Sequence, residues 1–169
     1  LIKIDEAAFY GTALTSLDIP DDVAIIGTYC FKNCTVLTQV KLPAKLGQIR
    51  EAAFYGTGLK TLDVPKNVSF VGPYAFKNCA ALAAVSLPEG MAYIGESAFY
   101  NCTALTELAI PEGVERIDPY AFKNCTGLNV VSLPESLKKL GESAFNGCTG
   151  LTEMRFPAGL TEIGEYCFS

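Results

Sequence analysis

The chain has 169 residues, half of them hydrophobic, a net charge of -5 and no histidine. That length suits a single domain, and the missing histidine removes the commonest general base, the usual triad relay and the commonest metal ligand together. No apolar run is long enough to cross a bilayer, the opening LIKIDEAAFY lacks the basic start and apolar core of a signal peptide, and no basic cluster offers a footprint for nucleic acid.

Taken in chain order, the elements repeat. Phenylalanines fall at 9, 31, 54, 76, 99, 122, 145 and 168, always 22 or 23 residues apart. Prolines keep the same step at 20, 43, 65, 88, 111, 134 and 157. Each of these prolines follows a segment such as LTQVKL or LTELAI that is apolar at its first, fourth and sixth positions. In LTELAI, Leu108 and Ile110 share one face while Glu107 and Ala109 point away, the alternation of a half-buried strand. Proline has no amide hydrogen, so each strand is expected to end at a corner before it. A second apolar pair, such as Val114 and Ile117, predicts at most a short strand on the opposite side of the coil. The stretches GESAF and GPYAF then return the chain, through a predicted helical turn with Gly, Glu and Pro73 or Pro119 at its start. One repeat alone buries too little to offset its ordering entropy, so stability must come from stacking. The fold expected is an α/β or mainly β solenoid of about seven 22- to 23-residue repeats in one continuous parallel sheet, forming a single domain over residues 1–169.

The segment 105–127, LTELAIPEGVERIDPYAFKNCTG, resembles the BspA-like, Treponema-type class of leucine-rich repeat, and the resemblance covers essentially the whole chain. It implies a right-handed solenoid from an exported protein, displayed on a microbial cell surface and adhering to host or neighbouring proteins. It carries no catalytic motif, so it supplies no catalytic residues. Because the chain starts and stops inside a repeat, at Leu1 and Ser169, a longer parent protein is expected.

All seven cysteines fall on the period. Cys34, Cys79, Cys102, Cys125 and Cys148 lie three residues after the motif phenylalanine, while Cys30 and Cys167 precede it in a slot that is otherwise alanine. Stacked neighbours could invite a disulfide or a metal, but parallel side chains suit neither bond well. The reading adopted is that of small hydrophobes filling the interior, expected to be reduced. In FYGTAL and FYGTGL the loop is one residue shorter than in FKNCTVL, which predicts a tighter turn at Gly11 and Gly56. Tyrosine alternates with a period of two repeats, from AAFY to YCFK and onward, and is read as a trace of duplication or of packing.

Surface columns carry the functional candidates. The outward strand positions are small and bland, with Asp18, Lys41 and Asp63 alternating in sign as a charge ladder would. The column before the second-strand isoleucine is different, running Ile25, Gln48, Phe70, Tyr93, Arg116, Lys139 and Glu162. Ile25, Phe70 and Tyr93 are large apolar side chains where polar ones are otherwise accepted, so they are the candidate protein-binding residues. The bland alternative is that Phe70 and Tyr93 cover one another. Hydrolase and phosphate-loop motifs are absent, so no catalytic, cofactor or metal residues are expected. The expected function is protein–protein interaction at a cell surface, with a structural spacer as the alternative.

Overall fold

A computed structural model covers residues 1–169 as a β-solenoid of about seven turns. A typical turn contributes a three-residue strand, a proline corner, a two-residue strand and a return turn; at Gln48–Ile49 the second strand is reduced to a single bridge from Ile49 to Val71. The three-residue strands are β2 (Ser16–Asp18), β4 (Gln39–Lys41), β5 (Thr61–Asp63), β7 (Ala84–Ser86), β9 (Glu107–Ala109) and β11 (Val130–Ser132). The two-residue strands are β1 (Lys3–Ile4), β3 (Ile25–Ile26), β6 (Phe70–Val71), β8 (Tyr93–Ile94), β10 (Arg116–Ile117), β12 (Lys139–Leu140) and β13 (Glu162–Ile163). All paired strands are parallel and in register by whole repeats, Arg116 lying opposite both Tyr93 and Lys139.

The expected continuous sheet of seven proline-terminated strands is not what forms. Those strands pair only as β2 with β4, β5 with β7, and β9 with β11, and residues Glu153 to Arg155 form no strand. The longer ladder belongs to the short second strands, which run β6-β8-β10-β12-β13 in one five-stranded sheet. The breaks in the first face recur every second repeat and open shallow clefts, such as one of about 370 Å³ between β4 and β5. Lys41 and Asp63 face each other across that break, and no charge ladder joins them. Lys41 Nζ lies 3.8 Å from Asp21 instead, while Asp63 accepts a hydrogen bond from Ser86 Oγ at 2.8 Å.

The return turns provide continuity, and they are not helical. Residues two before each phenylalanine, including Ala7, Tyr29, Ala52 and Tyr74, have φ between 48 and 58°. Residues two after it, including Gly11, Asn33, Gly56, Asn78 and Asn101, have φ between 60 and 66°. A left-handed residue on each side of the phenylalanine turns every second amide outward, while those between, such as Lys32 N and Cys34 N, bond back to Tyr29 O and Phe31 O within the turn. The outward amides bond to the next repeat: Tyr29 N to Glu51 O at 3.1 Å, Phe31 N to Ala53 O at 2.8 Å, and Asn33 N to Tyr55 O at 2.8 Å. Gly11 and Gly56 therefore share the conformation of Asn33 and are no tighter. What the short loops change is the next position, where Thr12 and Thr57 replace cysteine and place Oγ1 3.4 and 3.2 Å from the Sγ of Cys34 and Cys79. The glycine after the second-strand apolar residue serves close stacking, not helix initiation: a Cβ on Gly95 would come within 2.8 Å of Gly72 C and Pro73 N.

Between these faces the core is columnar. Phenylalanines 9, 31, 54, 76, 99, 122, 145 and 168 form one stack with centroids 5.1 to 5.6 Å apart. Beside it the thiols of Cys34, Cys79, Cys102, Cys125 and Cys148 each donate to a phenylalanine carbonyl of an earlier turn, at 2.9 to 3.3 Å. All seven cysteines are free and buried. Burial pushes the Cys79 and Cys148 thiols up to about 11 and Cys30 to about 12. A thiol-reactive dye is accordingly expected to label almost none of the seven in native protein and all of them after denaturation. Prompt labelling of most sites in the native state would contradict the buried column.

Candidate functional site

The second-strand face brings two of the three candidate residues together and leaves the third apart. Because β6 and β8 pair in register, Phe70 lies directly beside Tyr93. Their rings stack with centroids 5.0 Å apart and planes 8° from parallel. The Arg116 guanidinium, one strand further, covers the other face of Tyr93 at 4.3 Å from its centroid, and its Nε donates to Asp118 at 2.9 Å. Phe70 and Tyr93 are half-buried, and Arg116 is exposed. Ile25 is also half-buried but lies beside Lys3 on the separate β1-β3 pair. Gln48 stands between it and Phe70 in the column, so about two strand spacings, roughly 10 Å, separate them. Phe70 thus has one face covered by Tyr93, Tyr93 has Phe70 on one side and Arg116 against it, and both side chains stay half-buried.

A cation over an aromatic face at this distance is attracted by the ring quadrupole. Together with the bond to Asp118, this attraction restrains the guanidinium of Arg116 beside the Tyr93 ring. Beyond Arg116 the column turns ionic, Lys139 Nζ meeting Glu162 at 2.8 Å, and the adjacent column pairs Lys138 with Glu115 at 2.8 Å. The site is therefore a short aromatic ridge at the edge of a charge-balanced sheet. No trio of Cys, Asp and Glu side chains is placed to hold a metal ion, and no helix exists to cross a membrane.

The return-turn face holds a second arrangement, whose period the sequence displayed and whose contacts it did not. Lys32 lies over the rings of Tyr29 and Tyr55 at 5.1 and 4.9 Å, and Lys77 over Tyr74 and Tyr100 at 5.3 and 4.4 Å. Lys123 lies over Tyr120 at 5.5 Å. Tyr29, Tyr74 and Tyr120 donate their phenol protons to Glu51, Glu96 and Glu142 at 2.7, 2.9 and 2.6 Å. Those hydrogen bonds hold the protons on the three phenols and raise their pKa values, with the carboxylate charges adding to the effect. The two-repeat tyrosine alternation is thus a cross-turn network.

The fold has solved counterparts. The chain is 28% identical to a leucine-rich repeat protein from Bacteroides ovatus, with a TM-score of 0.76 over 97% of this chain and 49% of that one. It is 27% identical to a T. pallidum leucine-rich repeat protein, with a TM-score of 0.69 over 97% of this chain and 67% of that one. It is also 27% identical to a leucine-rich cell surface protein from Faecalibacterium prausnitzii, with a TM-score of 0.60 over 98% of this chain and 54% of that one. The chain therefore spans from just under half to about two-thirds of the length of these proteins. No curated protein matches it in sequence. The family model described as the BspA type leucine rich repeat region matches six copies across residues 2–129 and 115–169. With the repeat, the stacked phenylalanines and the parallel ladders in agreement, the chain belongs to the BspA-type leucine-rich repeat family.

Proposed function

We propose that this solenoid is a non-catalytic protein-interaction module of a microbial cell-surface or secreted protein, which contacts its partner through Phe70 and Tyr93 with Ile25 as a separate flanking contact. The observation that carries the reading is the half-buried stack of Phe70 on Tyr93, capped by Arg116, in a column that elsewhere holds Gln48, Lys139 and Glu162. Tyrosine and arginine side by side are the residue types enriched at the energetic centres of interfaces. A surface location is supported by the Faecalibacterium prausnitzii relative, described as a cell surface protein.

Replacing Phe70 and Tyr93 together by Ser is expected to weaken capture of extracellular proteins by the immobilised chain about tenfold or more, since anchoring aromatics contribute about 2 kcal/mol or more each when desolvated. The melting temperature should move little, because both rings are only half-buried. The spacer alternative draws on the same stack, since two rings that cover one another need no partner. It predicts unchanged capture together with a marked loss of stability.

A further inference from the structure

The return-turn face carries one feature that the protein-interaction reading does not use. The residues immediately after the stacked phenylalanines read Tyr10, Lys32, Tyr55, Lys77, Tyr100 and Lys123 in successive repeats. Because each phenylalanine points into the core, each of these side chains points out, and all six are half-buried or exposed. The six ion pairs of the molecule use Lys3, Lys41, Lys45, Arg116, Lys138 and Lys139. Lys32, Lys77 and Lys123 take part in none of them, and each ammonium is held only by tyrosine rings. The intervening phenols are poised in the same sense. Tyr10, Tyr55 and Tyr100 each accept from an asparagine amide, of Asn33, Asn78 and Asn124 at 3.2, 3.0 and 3.4 Å, so their own protons have no acceptor in the protein. The result is a row of donors, one per repeat on turns stacked about 4.8 Å apart, in which every second donor carries a positive charge.

A ligand matching this line needs an acceptor at each strand spacing and an anion at every second one. An extended linear polysaccharide advances by about one strand spacing per sugar, and one with alternating uronic acid and neutral sugar carries a single carboxylate per disaccharide. We propose that the Tyr10 to Lys123 ridge binds a linear anionic glycan of this kind, with Lys32, Lys77 and Lys123 on successive carboxylates and Tyr10, Tyr55 and Tyr100 donating to the neutral sugars between them. The tyrosine rings pre-position the ammonium groups, which lowers the ordering cost of binding. Glu51, Glu96 and Glu142 flank the ridge, hydrogen-bonded by Tyr29, Tyr74 and Tyr120. The three carboxylate charges offset those of Lys32, Lys77 and Lys123, so the ridge has no excess positive charge with which to favour a densely sulfated polymer over a sparsely charged one.

The test is calorimetric titration of the full chain with a hyaluronan decasaccharide, an alternating glucuronate and N-acetylglucosamine polymer, at low and at physiological salt. Binding that weakens with salt is expected, because exposed charges are screened. Lys32→Gln, Lys77→Gln and Lys123→Gln combined should lower the affinity about tenfold or more, while the corresponding triple Arg variant should keep it. Should the Gln variant fail to fold, the Arg variant and a Tyr10→Phe, Tyr55→Phe, Tyr100→Phe triple variant decide. The latter keeps the rings and removes the donors, and it should weaken binding about threefold or more. The proposal is overturned if wild-type protein gives no binding, if the folded Gln variant or the Phe variant binds as well as wild type, or if a neutral N-acetylglucosamine oligomer or a heparin fragment binds equally or better. The Phe70→Ser, Tyr93→Ser double variant should bind the decasaccharide normally, so this proposal and the protein-interaction reading stand or fall separately.

Discussion

Phe99→Ala is expected to lower the melting temperature by roughly 6 to 20 °C, whereas Phe168→Ala lowers it by only a few degrees. Phe99 is fully buried and stacked on both faces, against Phe76 at 5.1 Å and Phe122 at 5.3 Å. Its carbonyl accepts the Cys125 thiol at 3.1 Å and its amide bonds to Ala121 O at 2.8 Å, so the backbone around it is pinned on both sides. The ladders would hold the neighbouring repeats apart, leaving a void that cannot collapse. Truncation of a buried phenylalanine in such a setting costs about 3 to 5 kcal/mol, and a domain of this size loses about 2 to 4 °C per kcal/mol. Phe168 is 42% exposed and stacks on one side only, against Phe145 at 5.6 Å, with an edge contact to Phe156 at 5.8 Å. Its truncation removes less buried area and leaves no enclosed cavity, a loss of about 1 kcal/mol. Thermal melts followed by circular dichroism decide the matter. Equal losses at the two positions would contradict a core built from nearest-neighbour stacking.

The difference between these two phenylalanines was already legible in the sequence, because a period of 22 or 23 residues fixes which side chains form columns and which lie mid-stack. The buried columns of Phe, Cys and Leu follow from residue type alone. What a single repeat does not display is the conformation at the position two before phenylalanine, occupied by Ala7, Tyr29, Ala52, Tyr74 and Ser97, all with positive φ. None of these residues favours the left-handed region by itself, at a cost of about 1 to 2 kcal/mol each. The conformation is held by amides reaching the next repeat, such as Ala52 N to Pro73 O at 2.9 Å. Local preference therefore pointed to a helical turn, and stacking between repeats overrode it.

The same distinction separates the two halves of the surface reading. The Phe70–Tyr93 contact could be seen because both residues occupy one column in adjacent repeats. Ile25 shares their column but not their contact, because Gln48 occupies the intervening turn. The lysine–tyrosine lattice joins two columns, two before and one after the phenylalanine, that meet only when the return turn folds. Its alternation was visible as a pattern of letters, but the contacts of Lys32 with Tyr29 and Tyr55 depend on the turn geometry.

Alkali is expected to unfold this protein abruptly, with most of its stability lost between about pH 9 and pH 11, and the cysteine column is the cause. Desolvation by burial raises the thiols of Cys30, Cys79, Cys102, Cys125, Cys148 and Cys167 above the ordinary value of 9.0. A raised folded-state value means that the native state keeps a proton which the unfolded chain releases. The stability from each thiol is fully present below the unfolded value, and falls as the pH passes 9 and climbs toward the folded value, about 11 for Cys79 and Cys148 and about 12 for Cys30. Each thiol that stays protonated in the fold removes about 1.4 kcal/mol per pH unit in that window. Several acting together can exhaust a total stability of about 5 to 15 kcal/mol within one or two pH units. Tyr29, Tyr74 and Tyr120 act in the same direction at higher pH, since their bonds to Glu51, Glu96 and Glu142 also raise them. Urea unfolding at a series of pH values should show this decline in wild-type protein. Replacing Cys79, Cys102, Cys125 and Cys148 together by Ala should flatten it above pH 9, even though the variant starts from a lower stability at neutral pH because of its smaller side chains. A slope unchanged by removal of the four thiols would show that other groups govern alkaline unfolding, and a flat wild-type profile would show that the column is not desolvated at all.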